Sequence, residues 1–155
     1  MSASQREALL QDWKERCDRV QAGHYAVAAE LQRWHSWFGV PVVILSAIVG
    51  SSILASLDSA TTSTWLKVVT GFLSMCAAGL SAAQTFLRFG ERSERHRQAG
   101  VSYSALKREI EQIITYDDDS AIRECIDDIR KHWDALNADC PTIPLKHLRE
   151  SSSVD

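Results

Sequence analysis

Two long apolar segments dominate the pattern of hydrophobic and polar positions along this 155-residue chain. Residues 37–57 and residues 68–87 contain no Asp, Glu, Lys or Arg. A helix needs about 20 mainly apolar residues to cross a bilayer core about 30 Å thick, where the backbone must satisfy its own hydrogen bonds. The pattern therefore predicts a transmembrane hairpin over residues 39–87, with spans at 39–57 and 68–87 and a loop at 58–67. This loop is too short to hold a domain, so both spans return to the same side.

Charged residues flank the apolar segments, and their sign predicts the orientation in the membrane. Arginine and lysine residues precede the first span and follow the second, whereas the connecting loop has none before Lys67. Because cytoplasmic flanks are enriched in Lys and Arg, both termini are expected in the cytoplasm. The alternative is a soluble bundle whose two central helices are wholly buried, but soluble helices seldom run this long without charge.

The second span has one polar side. At about 100° per residue, small, hydroxyl and amide side chains share one face of the helix, and large apolar side chains occupy the opposite face. An amide inside hydrocarbon needs a partner or water, so this face is expected to meet another helix or an aqueous cavity. Two spans cannot enclose a pore, so a conduction path would require several copies. The predicted pore-lining residues are Thr70, Ser74, Ala77, Ser81, Gln84 and Arg88.

The first span begins with a predicted kink and carries small residues on one face. Gly39 to Pro41 interrupts the apolar repeat before it, so Pro41 is expected in the first turn of a separate membrane helix. Small residues let helix backbones approach closely, which makes Gly39, Ser46 and Gly50 candidate contacts with the second span or a neighbouring subunit. Chance is the alternative, because small residues are frequent in membrane helices.

Outside the spans, apolar residues recur in alternating steps of three and four, the pattern of helices that pack along a seam. It predicts an N-terminal cytoplasmic helix over residues 1–38, a cytoplasmic helical hairpin over 88–138 that continues the second span without a stop, and a C-terminal tail over 139–155. These repeats are expected to form a bundle or coiled coil and to assemble several subunits. The seam residues are Leu10, Trp13, Val20, His24, Val27, Leu31, Tyr103, Leu106, Ile110, Ile113, Ile122, Ile126, Ile129 and Trp133.

Few residues are candidates for chemistry. His24 lies on the seam, where a core histidine with a satisfied hydrogen bond is more usual than a ligand or pH switch. Asp117 to Asp119 suggest a metal site, but a helix cap at Asp119 or Ser120 is the simpler interpretation. The nearest catalytic-looking cluster is interpreted as solvated helix surface; it comprises Glu91, Glu94, His96 and Arg97.

Composition and motifs argue against an enzyme, a cofactor and a nucleic-acid partner. The chain has no GxSxG, P-loop or metal-binding histidine pattern. A formal net charge of -3 leaves no footprint for nucleic acid, and the basic residues beside the spans fit anionic lipid head groups of the bilayer. The four cysteines lack ligand spacing and are expected to be reduced, small apolar side chains: Cys17, Cys76, Cys125 and Cys140.

With these residues placed, the chain resembles the SLATT domain, the two-transmembrane effector domain associated with SMODS nucleotidyltransferases and SLOG sensors in bacterial conflict systems. The likeness lies in GVPVVILSAIVGSS at 39–52, in LSAAQTFLRFGERSERHRQAG at 80–100, and in a cluster formed by Tyr103, Leu106, Arg108 and Glu109. It covers residues 25–133, most of the chain.

The resemblance implies an all-α integral membrane protein that acts as a homo-oligomeric pore in anti-phage defence. Such effectors permeabilise the inner membrane when infection is sensed, which is abortive infection. The chain carries no sensor or nucleotidyltransferase segment of its own, so a separate protein is expected in that role. The alternative is a non-conducting membrane scaffold or adaptor that recruits a cytoplasmic partner, in which case the polar side of the second span is only the seam between the two spans.

Overall fold

The computed structural model describes residues 3–57, 63–115 and 119–147, and these ranges are mostly helical with no β-strand. The predicted all-α class is confirmed. Residues 58–62 of the predicted loop, Asp117 and Asp118, the side chains of Asp119 and Ser120, and the tail from 148 onward lie outside the described residues. The elements are α1 (Ala3–Leu57), α2 (Thr64–Leu87), α3 (Phe89–Ile114) and α4 (Asp119–Asp139).

α1 is a single helix of 55 residues with Pro41 in its interior. The expectation that Pro41 begins a separate membrane helix is therefore wrong, whereas the kink at Gly39 to Pro41 stays a prediction. A proline inside a helix removes the hydrogen bond to the carbonyl four residues earlier, which here belongs to Trp37. Membrane helices tolerate this loss because neighbouring groups or water satisfy the freed carbonyl.

α2 and α3 are separated by one residue, Arg88, in the left-handed conformation with φ 49° and ψ 38°. The prediction that the second span continues without a stop is thus wrong at this residue. A left-handed backbone costs a residue with a Cβ about 1 to 2 kcal/mol. The Arg88 amide still donates to the Gln84 carbonyl at 3.2 Å, and its guanidinium pairs with the Glu91 carboxylate in the first turn of α3.

The chain divides into two compact units. The first, here called the bundle, comprises Met1–Glu30 and Arg92–Asp155. The second, here called the hairpin, comprises Leu31–Glu91 and contains the described part of both predicted spans. α1 contributes its first half to the bundle and its second half to the hairpin.

The bundle has an apolar core formed by α1, α3 and α4 of the same chain. Leu106 and Ile110 have no exposed surface, and Trp13, Val20, Ile126 and Trp133 pack around the buried residues. The seam is therefore covered within one chain, and the assembly of several subunits through these repeats stays a prediction. The buried core residues are Leu10, Cys17, Tyr103, Leu106, Ile110, Ile113, Ile122 and Ile129.

The hairpin turns large apolar side chains outward instead. Val43 is 69% exposed, Trp65 74% and Phe86 86%. The most apolar 18-residue stretch of α1 has 0% of its residues buried. The corresponding stretch of the helical segment that includes α2 has 6% of its residues buried. The core helix of a soluble protein would be mostly buried, so the two helices fit a two-span membrane protein and not the soluble alternative.

Candidate functional site

The interior of the hairpin lies between one stripe of α1 and one stripe of α2. On α1, half-buried positions recur in steps of three and four, and α2 shows the same spacing around the buried Ala77. This is the spacing of two helices that pack along one stripe. The half-buried positions that follow this spacing are Leu31, His35, Phe38, Val42, Leu45 and Val49 on α1 and Leu73, Leu80, Gln84 and Leu87 on α2.

The predicted pore-lining residues do not share one environment. Ala77 is buried, and Thr70 and Gln84 are half-buried. The remaining three, Ser74, Ser81 and Arg88, are exposed. Packing against α1 thus divides the polar side of α2 into an inward edge and an outward edge.

Gln84 finds its partner inside the hairpin. Its Nε2 lies 3.3 Å from Nδ1 of His35. Since an amide nitrogen only donates, this contact requires a His35 ring whose Nδ1 accepts and whose proton is on Nε2. A Cβ at Gly39 would lie 3.1 Å from Gln84 Nε2, so the absence of a side chain at Gly39 makes room for the amide.

Hydroxyl groups in the spans bond to their own helices. Thr85 Oγ1 donates to the Ser81 carbonyl at 3.0 Å, Ser51 Oγ to the Ala47 carbonyl at 2.7 Å, and Ser52 Oγ to the Ile48 carbonyl at 2.8 Å. Such bonds to the preceding turn satisfy a hydroxyl without any further partner. A hydroxyl in these helices is therefore compatible with lipid, with a second helix or with water.

The outward edge of α2 is lined by small residues. Ser74, Ala78 and Ser81 are exposed on it together with Gly71, and no atom lies within 4 Å of a Cβ built at Gly71. Large exposed side chains occupy the adjoining side of α2, where Phe72 is 59% exposed and Met75 is 68% exposed. One exposed side of α2 thus suits acyl chains, whereas the adjoining side permits another helix to approach closely.

The candidate packing residues of α1 separate in the same way. Gly39 lies against Gln84, as described above. Ser46 and Gly50 are exposed, and a Cβ at Gly50 would meet no atom within 4 Å. Neither residue thus lies in the packed interior between α1 and α2, and contact with a neighbouring subunit stays a prediction.

Aromatic residues mark both ends of α2. Phe38 and Phe89 stack with ring centroids 5.7 Å apart, and Trp34 lies 6.4 Å from Phe38. Trp65 is exposed at the opposite end. Aromatic rings concentrate at the two interfaces of a bilayer, so this distribution agrees with a helix that crosses it.

The family comparison agrees with the geometry. The model of SMODS and SLOG-associating 2TM effector domain family 4 matches residues 7–151. The chain belongs to this SLATT family. The resemblance seen in the sequence is confirmed, and membership indicates a membrane effector of a defence system. A search of curated proteins and a search of solved structures found no match.

The described residues of this SLATT chain offer no metal centre. No group of three or more His, Cys, Asp or Glu residues among them is arranged to hold a metal ion. The cysteines are free, and burial, followed by the charge of Asp18, raises the pKa of the Cys17 thiol to about 12. Burial also raises the pKa of Cys140. These two thiols are poor nucleophiles and poor ligands at neutral pH because the thiolate is the reactive form.

The cluster of Glu91, Glu94, His96 and Arg97 was expected to be solvated helix surface, and this expectation is wrong for His96. Arg97 and Glu94 form an exposed pair at 2.6 Å, as a surface interpretation requires. His96 is only 7% exposed, and its Nδ1 lies 3.0 Å from Nδ1 of His24 in the SLATT bundle. The spacing of residues could have predicted this burial. Ala99 lies four residues before Tyr103 and His96 three residues before Ala99, so both continue the buried seam toward the N-terminus of α3.

Proposed function

We propose that this SLATT protein is a homo-oligomeric pore-forming effector of a bacterial anti-phage system, which permeabilises the inner membrane while both termini stay in the cytoplasm. The observation that carries the proposal is the outward edge of α2, where Gly71, Ser74, Ala78 and Ser81 adjoin a side of large apolar residues. A helix surrounded only by lipid has no need of two such different exposed sides. Several copies would place the small, hydroxyl-bearing edges around a common axis.

The exposure of each predicted pore-lining residue reduces the set that we propose to line the conduit. Ser74 and Ser81 face the conduit, and Arg88 lies at its cytoplasmic mouth. Ala77 and Gln84 stay in the hairpin interior, where Gln84 bonds to His35. Glu91 partly neutralises Arg88, so the mouth favours anions less than an unpaired ring of arginines would.

The proposed subunit contacts lie in the hairpin. The apolar seam of the bundle is covered by α1, α3 and α4 of one chain and so is unavailable to a neighbour. Ser46 and Gly50 on α1 are exposed and small, which permits close approach of a helix from another subunit. Oligomers are therefore expected to persist when charges on the bundle surface are changed.

Ion or dye flux from liposomes that contain the purified full-length protein tests the proposal. Wild type is expected to conduct, and Ser81→Leu is expected to reduce flux because it places a large apolar group in the conduit. Gly79→Leu is the matched control, since Gly79 is exposed with no atom within 4 Å of an added Cβ and lies on the side of α2 near Phe72 and Met75. Silent wild-type liposomes, or equal effects of the two variants, would contradict the pore.

A non-conducting scaffold is the second candidate, and the Gln84 to His35 contact favours it. The most polar group of the stripe is satisfied inside one hairpin, so it does not itself require an aqueous path. In this case the protein recruits a partner of the SMODS or SLOG type, as the family description suggests. Recovery of such a partner in a fixed ratio from membranes that show no flux would favour the scaffold over the pore.

A further inference from the structure

Two histidines face each other in the interior of the bundle. His24 of α1 is 1% exposed and His96 of α3 is 7% exposed. Their Nδ1 atoms are 3.0 Å apart, and the Tyr103 ring stacks on His24 with a centroid distance of 5.6 Å. The pair joins two helices of the core.

The contact between the two Nδ1 atoms depends on the number of protons that the pair holds. When both rings are neutral, one Nδ1 carries hydrogen and donates to the other. One added proton can bind the outer nitrogen of the donor ring, and the hydrogen bond survives. A second added proton puts hydrogen on both facing nitrogens, so the bond is lost and two like charges lie side by side in a buried place.

The groups around the pair do not offset such charge. Arg92 and His147 act on His96 and disfavour its protonation. Tyr103 faces His24, and burial raises the pKa of this phenol to about 12, so it stays neutral. The carboxylate of Glu30 is engaged elsewhere: it accepts bonds from Lys146 Nζ at 2.8 Å and contacts His147 Nε2 at 2.7 Å.

Burial therefore opposes protonation of both rings. Desolvation, followed by the charge of His96, lowers the pKa of His24 from 6.5 to about 4. Desolvation, followed by Arg92 and His147, lowers the pKa of His96. Because the unfolded chain binds protons that the folded bundle refuses, the stability from the neutral pair is present above pH 6.5 and is lost as the pH falls toward about 4.

We propose that the His24 and His96 pair is a proton-sensitive lock of the bundle, which holds α1 to α3 at neutral pH and releases them when the cytoplasm acidifies. A permeabilised inner membrane admits protons, so the lock would respond to the effect of the pore itself. That link rests on the proposed function, whereas the lock does not.

Thermal unfolding of the full-length protein in detergent, followed at pH values from 7.5 down to about 4, tests the lock. Protonation of His24 in the unfolded chain should by itself lower the folding equilibrium constant on the order of 100-fold across this range. Each unit of difference between the pKa values of His24 in the unfolded and folded states contributes a factor of about ten. The double variant His24→Leu with His96→Leu removes both titrating rings and should show a flatter pH dependence. His132→Leu is the control, since this exposed histidine of the bundle bonds Glu109 at 3.2 Å and should leave the wild-type dependence in place.

An equally steep pH dependence in the double variant and in wild type would overturn the lock. Should the double variant fail to fold, NMR titration of the wild-type histidine rings decides the matter: both rings neutral well below pH 6.5 supports the lock, and ordinary titration overturns it. Flux from liposomes is measured separately. Silent liposomes with an intact pH effect on unfolding would refute the pore and leave the lock standing.

Discussion

The bundle and the hairpin share one helical spacing of inward residues but differ in the side chains that face outward. In the bundle, Leu106 and Ile110 have no exposed surface. In the hairpin, Val43 is 69% and Phe86 86% exposed, although both belong to helices of similar periodicity. Water drives the apolar side chains of the bundle inward, whereas a bilayer imposes no such cost. The comparison shows that periodicity identifies the inward face of the helices in both units, whereas the surrounding medium decides whether the opposite face carries polar or large apolar side chains.

Polar groups follow the same division. In the bundle they bridge between helices, with Ser93 Oγ bonded to the Ala28 carbonyl at 2.8 Å and Tyr103 Oη to Asn137 Oδ1 at 2.7 Å. Most hydroxyl bonds of the hairpin stay within one helix, and Gln84 with His35 is the contact that crosses. Bridging bonds specify one arrangement of helices. The hairpin holds fewer such bonds among the described residues, which agrees with the proposal that its helices also pack against other subunits.

The largest expected difference comes from truncation of a large side chain in each unit. Leu106→Ala should lower the free energy of unfolding by about 2 to 5 kcal/mol, because it leaves a cavity in the core. Phe86→Ala should change it little in detergent, since Phe86 is 86% exposed. Thermal or denaturant unfolding of both variants measures the difference. Losses of similar size would mean that the hairpin is packed as tightly as the bundle.

A glycine in each unit gives a second contrast. A Cβ at Gly100 would lie 2.9 Å from Tyr25 Cε1, so Gly100→Ala forces the Tyr25 ring to move. This displacement should cost about 1 to 3 kcal/mol of stability, from which the gain in helix propensity of alanine over glycine is subtracted. In monomeric protein, Gly50→Ala meets no atom within 4 Å and should gain about 1 kcal/mol from propensity alone. Unfolding experiments that rank the two variants in the reverse order would contradict this account.

Substitution of one serine in each unit compares a hydrogen bond between two helices with an exposed hydroxyl that makes no such bond in the single chain. Ser93→Ala removes the bond to the Ala28 carbonyl inside the bundle and should cost about 1 kcal/mol. Ser81→Ala, at an exposed site of the hairpin, should cost a few tenths of that amount or nothing. Chemical denaturation in detergent resolves such differences. A larger loss at Ser81 would reveal a contact that the single chain does not contain, as an oligomer would supply.

The last contrast concerns the boundary residue Arg88. Arg88→Gly relieves the left-handed backbone and should raise stability by up to about 1 kcal/mol, less the weak exposed pair with Glu91. Arg108→Gly, in the interior of α3, is the control and should lower stability by about 1 kcal/mol. Opposite signs for the two glycines in unfolding experiments are the expected outcome. Equal losses would show that Arg88 is held in a helical conformation.

Several features of the fold could be predicted because they depend on neighbours in sequence. The spans follow from the absence of charge over residues 37–57 and 68–87, and the seam from the spacing of Tyr103, Leu106 and Ile110. The break at Arg88 could not be predicted, because neither proline nor glycine occupies that position and a left-handed arginine has no local signature. The pairing of His24 with His96 joins residues 72 positions apart, which periodicity on either helix alone cannot reveal.

By itself the sequence determined the helical class, the two apolar spans and the SLATT family, because charge, periodicity and motif are properties of the chain read in order. Only the tertiary structure decided what covers each face. Ser81 and Gln84 lie about 60° apart on α2, yet one is exposed and the other bonds His35, because α1 packs over one edge of the helix and not the other. In the bundle, the packing of α1 against α3 likewise buried His96, which its charged sequence neighbours suggested to be solvated. Partners across a helix interface are chosen by three-dimensional packing, and no local pattern records them.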